Sequence, residues 1–350
     1  MESTCMDKYS ISPLNQQAMQ LCQKKWDSIA KPLHSLGKLE DMLVQIAGIT
    51  GNSKISLEKK GLVVMCADNG IVEEGVTQTG QEVTALVAGN FLSGQATAAV
   101  LCKKTGADII PVDIGVAVDT PILNRKIACG TKNFAKEPAM TRSQAMQALE
   151  TGISLVRELK EKGYEILATG EMGIGNTTTS SSLAAVFLNR SVAEVTGRGA
   201  GLTSAGLEKK ISVIEQAIAS YLPKCKDPVD VLAAMGGFDI AGLAGVFLGG
   251  AIYRVPIVID GFISSVAALT AAKIHPASRD YMIASHRSKE PAAQYVLDAL
   301  KLEAPLCCDM CLGEGTGAVA LFPILDLACE VYQKMSTFDD IEMEAYQPLD

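Results

Sequence analysis

Aromatic residues make up only 5% of this 350-residue chain, which has a single tryptophan although 48% of its residues are hydrophobic. The apolar residues are therefore mostly Ala, Val, Ile and Leu. That composition is typical of short parallel strands that helices cover on both faces. A chain of this length suits one large domain with a lesser one beside it.

Positive charge is also scarce, because the formal net charge is −8 and no basic stripe is present. This excludes the usual electrostatic surface for nucleic-acid binding. An anionic ligand must therefore be held by local geometry, since the net field of the chain would repel it.

Neither a signal-peptide core at the N-terminus nor a membrane anchor in the uncharged stretch 240–253 is evident. The N-terminal sequence MESTCMDKYS lacks the apolar core of a secretory signal. The uncharged, Gly-rich stretch 240–253 has 14 residues, whereas a membrane span needs about 20. We therefore predict no membrane partner and a cytoplasmic location.

The ten cysteines follow no framework spacing, and only three histidines are present. Most of the cysteines lie in apolar runs, which is typical of buried thiols in a reducing compartment. Cys307, Cys308 and Cys311 form one cluster, and the Cys308–Cys311 spacing fits a redox pair or half of a zinc site. No second pair and no ligand-like histidine spacing accompany it, so we predict no metal and no cofactor.

Short β-branched runs alternate with helix-length segments along most of the chain. The predicted helices include 83–105, 143–162, 203–221 and 262–273. The predicted strands are 61–67, 108–114, 164–169, 229–234, 256–260 and 281–285. Strand–helix alternation predicts an α/β fold with a doubly wound, mainly parallel, six-stranded sheet.

The two ends of the chain have a different pattern. Residues 12–50 carry helical periodicity without a convincing strand, and residues 316–346 resemble a long helix with a polar tail. We predict that residues 1–55 and 325–350 together form a small helical domain beside a larger domain of residues 56–324.

The loop after the third predicted strand, GEMGIGNTTT at 170–179, has the strongest motif. It leaves a strand and enters a helix, so its glycines let backbone N–H groups approach an anion. Asn176 stands where a P-loop requires Lys, and the third Gly of a dinucleotide fingerprint is missing. The loop is therefore predicted to hold a monophosphate with help from Thr177 and Thr178; ordinary turn chemistry is the alternative.

The second motif is LGEGTGA at 312–318, which places a carboxylate between glycines at the start of an apolar helix. This arrangement is poor for packing and leaves Glu314 available to a cleft. Capping of the following helix is the alternative role. The helix N-terminus would lower the pKa of Glu314 and an apolar pocket including Leu312 would raise it, and the sequence leaves that balance open.

Other charged residues carry weaker signals. Lys209 and Lys210 follow a Gly-rich stretch and either could reach a phosphate, although a solvated helix face is the default interpretation. Asp68, Asp239 and Asp260 end predicted strands, where each could bind ribose hydroxyls or cap a helix.

With these motifs the chain resembles the nicotinate-nucleotide:dimethylbenzimidazole phosphoribosyltransferases of cobamide biosynthesis. The similar stretches occur in the same order from residue 31 to about residue 330. They are KPLHSLGKLE (31–40), CADNG (66–70), 170–178, GGFD (236–239), DGF (260–262) and LGEGTGA (312–318). The stretches GEMGIGNTT and LGEGTGA are specific when they occur together.

The resemblance implies a Rossmann-like topology, a small domain built from both termini, and a homodimer or a heterodimer with a paralogous subunit. It implies that Glu314 is the general base in transfer of ribose 5-phosphate from nicotinate mononucleotide to a small aromatic acceptor. The nucleotide-binding residues that it implies are Glu171, Gly173, Gly175, Asn176, Thr177, Thr178, Lys210, Asp260, Gly261 and Ser288. The implied acceptor-binding residues are Thr79, Val87 and Leu312.

The chain departs from the family pattern at three positions. His34 and Gly80 stand where the family has Gly and Pro, and Val87 stands where some members carry Gln near the acceptor ring. Loss of that amide removes a hydrogen-bond partner from the acceptor, which leaves dimethylbenzimidazole, a phenol or p-cresol, and a purine as candidates. Two other functions stay open: a nucleotide-binding, non-catalytic partner subunit of a hetero-oligomeric transferase, and a phosphate-transferring enzyme with a degenerate P-loop.

Overall fold

A computed structural model describes residues 9–347 of the chain. Its centre is a six-stranded, all-parallel sheet with the order β3-β2-β1-β4-β5-β6. The strands are β1 (Lys60–Ala67), β2 (Ala107–Gly115), β3 (Leu123–Asn124), β4 (Ile166–Met172), β5 (Ile257–Ile259) and β6 (Met282–Ala284). The predicted doubly wound, Rossmann-like sheet is confirmed.

Thirteen α-helices lie within residues 9–347 and flank the sheet. The first six are α1 (Gln16–Ser28), α2 (Lys38–Thr50), α3 (Glu82–Ser93), α4 (Thr97–Thr105), α5 (Arg142–Glu161) and α6 (Asn176–Leu188). The others are α7 (Val192–Val195), α8 (Ser204–Tyr221), α9 (Pro228–Met235), α10 (Phe238–Tyr253), α11 (Phe262–Ile274), α12 (Ala293–Leu300) and α13 (Thr316–Lys334).

The strand β1 is buried along its whole length and divides the core in two. Val63 and Met65 face one apolar cluster, whereas Leu62 and Val64 face the other. This alternation follows from the two-residue period of a strand. Because β1 and β4 are neighbours in register from Lys60↔Ile166 to Cys66↔Met172, the strand order reverses between them. A ligand crevice is expected where their carboxyl ends diverge.

The predicted strand 229–234 is wrong, because this segment lies in helix α9. The Asp227 side chain accepts a hydrogen bond from the N–H of Asp230, and Pro228 occupies the first turn. Both features begin a helix, and the periodicity of a short apolar run does not separate a strand from a buried helix. The sixth strand is instead β3, a two-residue exposed edge strand that is too short to leave a pattern.

Two predicted helices have different lengths in the structure. The predicted helix 83–105 is divided into α3 and α4, because Gly94 adopts a left-handed conformation (φ 77°) and ends α3. The predicted helix 316–346 ends at Lys334, after which Met335 is extended.

The segment 82–105, rather than the shorter stretch 240–253, has the length and hydropathy of a membrane span. Within residues 9–347 it is the one segment that meets both criteria. The interruption after Ser93 separates it into helices of 12 and 9 residues, and each is too short to span a bilayer alone.

The terminal helices contact each other on one side of the sheet. The rings of Trp26 and Tyr332 lie 5.0 Å apart between centroids. The N–H of Phe338 donates to the carbonyl of Ser28 at 2.9 Å, and the N–H of Ala30 donates to Ser336 at 3.0 Å. These contacts support the proposal of a small domain made from both termini, whose bounds remain a prediction.

Helices α5 and α10 pack backbone to backbone through glycines. A Cβ atom on Gly245 would lie 2.1 Å from the carbonyl oxygen of Leu149, and a Cβ on Gly152 would lie 2.1 Å from that of Gly242. No rotamer change relieves a collision with backbone, so these glycines set the distance between the two helices.

We therefore expect Gly245→Ala to lower the free energy of unfolding by about 2 kcal/mol or more, because the helices must separate. Urea unfolding followed by circular dichroism measures the change. Gly89→Ala in α3 is the control: no atom lies within 4 Å of its added Cβ, so it should be neutral or slightly stabilising. Equal stability of the two variants would contradict this account of the packing.

Candidate active site

A cavity of about 290 Å³ opens beyond the carboxyl ends of β4 and β5, one strand further along the sheet than the expected crevice between β1 and β4, and we call it the central cavity. Ten of the predicted site residues line it. They are Val87, Glu171, Gly173, Asn176, Thr177, Asp260, Gly261, Ser288, Leu312 and Glu314. Residues from several separate loops therefore meet at one place, as the sequence predicted.

Four predicted site residues do not line the central cavity. Thr79 and Gly175 line an adjoining cavity of about 90 Å³, which shares Gly173, Asn176 and Thr177 with it. Lys210 lies behind Thr177. Thr178 is fully buried in α6, where its hydroxyl has no hydrogen-bond partner among the described residues.

Ten residues that line the central cavity are not among the predicted site residues. They are Met172, Ile174, Gly199, Ala200, Phe262, Ile263, His286, Glu290, Cys311 and Gly313. Most of them lie within or next to the loop 170–179, the Gly-rich stretch 196–201, DGF (260–262), the segment SHRS (285–288) around Ser288, and LGEGTGA (312–318). Widening each motif by a residue would therefore have found them. Glu290 had no sequence signal, because a Glu two residues after Ser288 looks like an ordinary surface charge.

The loop that carries Glu314 has three consecutive left-handed residues. The φ angles are 92° at Gly313, 60° at Glu314 and 89° at Gly315. A non-glycine residue in this region is uncommon and strained, and such strain clusters at functional sites. Gly170 allows the loop to touch β4, since a Cβ there would lie 2.5 Å from the carbonyl oxygen of Glu314.

Asp260 fixes this loop from the end of β5. Its carboxylate accepts hydrogen bonds from the N–H groups of Gly315 (3.2 Å), Gly317 (2.8 Å) and Ala318 (3.1 Å). Asp260 is therefore the acceptor at the start of α13, and the alternative role of Glu314 as the cap of this helix is wrong. The predicted contact of Asp260 with the ribose stays a prediction.

The Glu314 side chain points instead toward the first turn of α4. Its Oε2 atom accepts a long hydrogen bond of 3.4 Å from the N–H of Ala98. Burial raises the pKa of Glu314 and outweighs the lowering effect of that N–H, while the nearby Asp260 raises the pKa further. Of the two opposing effects on the pKa of Glu314 that the sequence left open, burial is therefore the larger. Glu314 accepts a proton more readily than an ordinary glutamate.

Glu171 and Asp239 form a second buried acidic group around Asn176. The Asn176 amide donates to Glu171 and, at 3.2 Å, to Asp239. Burial raises the pKa of both carboxyls, and the charge of Asp239 raises that of Glu171 further. Asp239 follows helix α9 rather than the strand that was predicted, yet the fold brings it beside β4.

Lys210 is fully buried beside the start of α6, so the solvated helix face that is the default for a lysine is wrong here. Its Nζ donates to Thr177 Oγ1 at 2.9 Å and to the carbonyl of Gly197 at 3.3 Å. Burial lowers the pKa of Lys210 to about 8, and Glu290 opposes this shift. The neighbouring Lys209 is exposed.

Cys307, Cys308 and Cys311 are exposed free thiols, and Cys311 lines the central cavity. In the described part of the chain, no group of three or more His, Cys, Asp or Glu side chains is arranged to hold a metal ion.

These features define a class of protein: an α/β nucleotide-binding fold whose central cavity combines a glycine-rich helix start with a proton-accepting carboxylate, and has a buried lysine behind Thr177. The comparison with known families agrees. The family model described as DBI_PRT, a phosphoribosyltransferase, matches residues 11–343.

The curated relatives are similar over almost their entire length. Nicotinate-nucleotide–dimethylbenzimidazole phosphoribosyltransferase of Ruminiclostridium cellulolyticum is 50% identical over 344 residues, which cover 97% of this chain and 98% of that protein. The protein of the same name from Clostridium acetobutylicum is 49% identical over 342 residues, or 97% of each chain.

Among solved structures, CobT from Thermus thermophilus superposes with a TM-score of 0.88 at 36% identity, and the match covers 94% of this chain and 99% of that one. The chain belongs to the nicotinate-nucleotide–dimethylbenzimidazole phosphoribosyltransferase family, and the resemblance seen in its motifs is confirmed.

The role of Asp260 leads to a stability prediction. We expect Asp260→Ala to lower the free energy of unfolding by about 2 kcal/mol, because three buried N–H groups lose their acceptor. Thermal and urea unfolding measure this loss. Thr203→Ala is the control: that side chain accepts one N–H, from Gly206 at 3.1 Å, and its loss should cost about 1 kcal/mol or less. A smaller loss for Asp260→Ala than for the control would contradict the anchoring role.

Proposed function

We propose that this protein transfers the ribose 5-phosphate group of nicotinate mononucleotide to a small aromatic acceptor. The products are nicotinate and an α-riboside 5-phosphate for cobamide biosynthesis. The observation that carries the proposal is the position of Glu314, on a strained loop facing the same cavity as Thr177 and Ser288. Family membership supports the same reaction class.

The chemistry fits the groups that line the central cavity. Nicotinate leaves as a stable aromatic ring from a pyridinium, so its departure needs little acid catalysis and no metal. The ribosyl carbon gains oxocarbenium character, and the acceptor attacks from the opposite face, which converts a β-riboside into an α-riboside. An azole or phenol acceptor must lose a proton, and Glu314 is the carboxylate proposed to take it.

The two sides of the cavity suit the two substrates. On one side, Gly173, Thr177 and Ser288 are proposed to hold the phosphate, with Lys210 acting through Thr177. On the other side, Val87 and the exposed Leu312 offer apolar contact to an aromatic ring. Holding the two rings against one sugar would supply much of the remaining acceleration.

The remaining nucleotide residues lie around these two sides. Glu171 and Gly261 are proposed to face the ribose, while Gly175 and Asn176 form the start of α6. Thr79 is proposed to approach the acceptor from the adjoining cavity. Thr178 has weaker support, because its buried hydroxyl faces neither cavity.

The acceptor, the oligomer and the location remain proposals. Dimethylbenzimidazole is the first acceptor to test, because it is in the names of the curated relatives; p-cresol, phenol and a purine follow, since Val87 offers no hydrogen bond. A homodimer, a heterodimer with a paralogous subunit and a cytoplasmic location remain predictions from the sequence. A non-catalytic partner subunit is not favoured, because the Glu314 loop and its Asp260 anchor are intact.

The direct test mixes the purified protein with nicotinate mononucleotide and each acceptor in turn, and identifies products by mass. Glu314→Gln should reduce α-riboside formation by about 100-fold or more, because a positioned proton acceptor is lost, while nucleotide binding persists. Since the pKa of Glu314 is raised, kcat/KM of the natural protein should fall as the pH drops through a value above that of an ordinary glutamate.

The exposed Glu208 on α8 offers a matched control, and Glu208→Gln should retain full activity. Full activity in Glu314→Gln would remove Glu314 from the role of base. If the chain alone forms no product with any acceptor, and a second polypeptide restores activity, the result would instead support the partner-subunit alternative.

Lys210 leads to a binding prediction. Lys210→Met should weaken nicotinate mononucleotide binding by about tenfold or more, because a charged hydrogen-bond donor behind the phosphate is lost. With a pKa of about 8 in the free protein, Lys210 loses its proton as the pH rises, so affinity should decline on the alkaline side of that value. Isothermal calorimetry measures both effects, and Lys209→Met is the control. Indistinguishable affinities of the two variants would contradict the role.

A further inference from the structure

Two buried carboxyl groups contact the same amide nitrogen behind the central cavity. Asn176 Nδ2 donates to Glu171 Oε2 and, at 3.2 Å, to Asp239 Oδ2. Glu171 is 6% exposed and Asp239 is 0% exposed. An amide nitrogen has two hydrogens and can serve both carboxyls, whereas an amide oxygen in its place would repel them, so the pair sets the orientation of Asn176.

The charges that act most strongly on this pair are negative. Glu171 receives the N–H of Glu314 and lies near the carboxylate of Asp260. Asp239 receives the N–H of Ile240 at 3.0 Å and lies near Asp68. Among the described residues, the main charges that shift the pKa of either carboxyl are therefore other carboxylates, and each of them raises it.

Two like charges this close in a site of low dielectric cannot both be stable. We propose that Glu171 and Asp239, which are joined through Asn176, hold one proton between them, on one carboxyl or the other, so that the pair carries a single negative charge. This inference rests on the proposed function and deepens it, because it assigns a role to a residue that substrates do not reach.

Asp239 acts through its neighbour and is a positioning residue. Glu171 lines the central cavity, whereas Asp239 does not. With the proton on Asp239, the charge of Glu171 lies at the cavity, where positive charge would develop on the ribosyl carbon, and no second charge repels the anionic phosphate and nicotinate groups. With the proton on Glu171 instead, this carboxyl can donate a hydrogen bond to a ribose hydroxyl, which a permanently ionised carboxylate cannot do.

The test measures the titration of Glu171 directly, by carbon-13 NMR of protein labelled at the glutamate side-chain carboxyls. The Glu171 resonance is assigned by its absence from Glu171→Gln. In the natural protein its midpoint should lie above the range of an ordinary glutamate. Asp239→Asn should move this midpoint down by roughly one pH unit or more, because a neighbouring negative charge is removed.

Asp68→Asn is the matched control, because Asp68 is equally buried and lies near Asp239 but makes no contact with Asn176. It should shift the Glu171 midpoint much less. An unchanged midpoint in Asp239→Asn, an equal shift in Asp68→Asn, or an ordinary midpoint in the natural protein would each overturn the shared proton.

A second measurement needs no variant of Asp239, in case Asp239→Asn does not fold. In the natural protein, the Glu171 resonance should change in two steps, because groups that share a proton titrate together; a single step would refute sharing. Neither titration requires turnover. If no acceptor gives product but Glu171 titrates in two steps, the result would therefore contradict the proposed function and leave the shared proton standing.

Discussion

The hydrogen bonds between the Asp260 carboxylate and the N–H groups at the start of α13 are the constraint on which the rest of the site depends. Three N–H groups from Gly315 to Ala318 converge on this carboxylate, and they hold three consecutive residues in a conformation that glycine favours. Because Asp260 satisfies the helix start, the side chain of Glu314 is released to face the central cavity. One carboxylate thus fixes the loop that presents another carboxylate to the cavity.

Burial decides the electrostatics around this anchor more than the net charge of the chain does. The protein carries a charge of −8, yet a buried lysine stands behind Thr177 on the side proposed for phosphate. Removal from water raises the pKa of Glu314 and lowers that of Lys210. Both shifts bring groups that ordinarily titrate far from neutrality closer to it, where proton transfer is most useful.

The successes and failures of sequence interpretation have different physical origins. The glycine-flanked Glu314 and the loop 170–179 were recognisable as cavity-lining segments because both depart from the rules of good packing, and such departures are expected at functional sites. The segment 229–234 was misassigned because Val, Leu and Ala suit a buried strand and a buried helix equally. The predicted helix 83–105 was not recognised as two helices, because a left-handed glycine such as Gly94 ends a helix without changing the apolar pattern on either side.

By itself the sequence determined the alternation of strands and helices, the motif loops at the carboxyl ends of strands and the family, because these depend on local periodicity and local residue types. Only the tertiary structure decided which carboxylates share a site. Asp239 contacts Asn176, Glu290 lines the central cavity, and Lys210 is buried although its neighbour is exposed. Charge, burial and proton affinity depend on neighbours that only folding brings together.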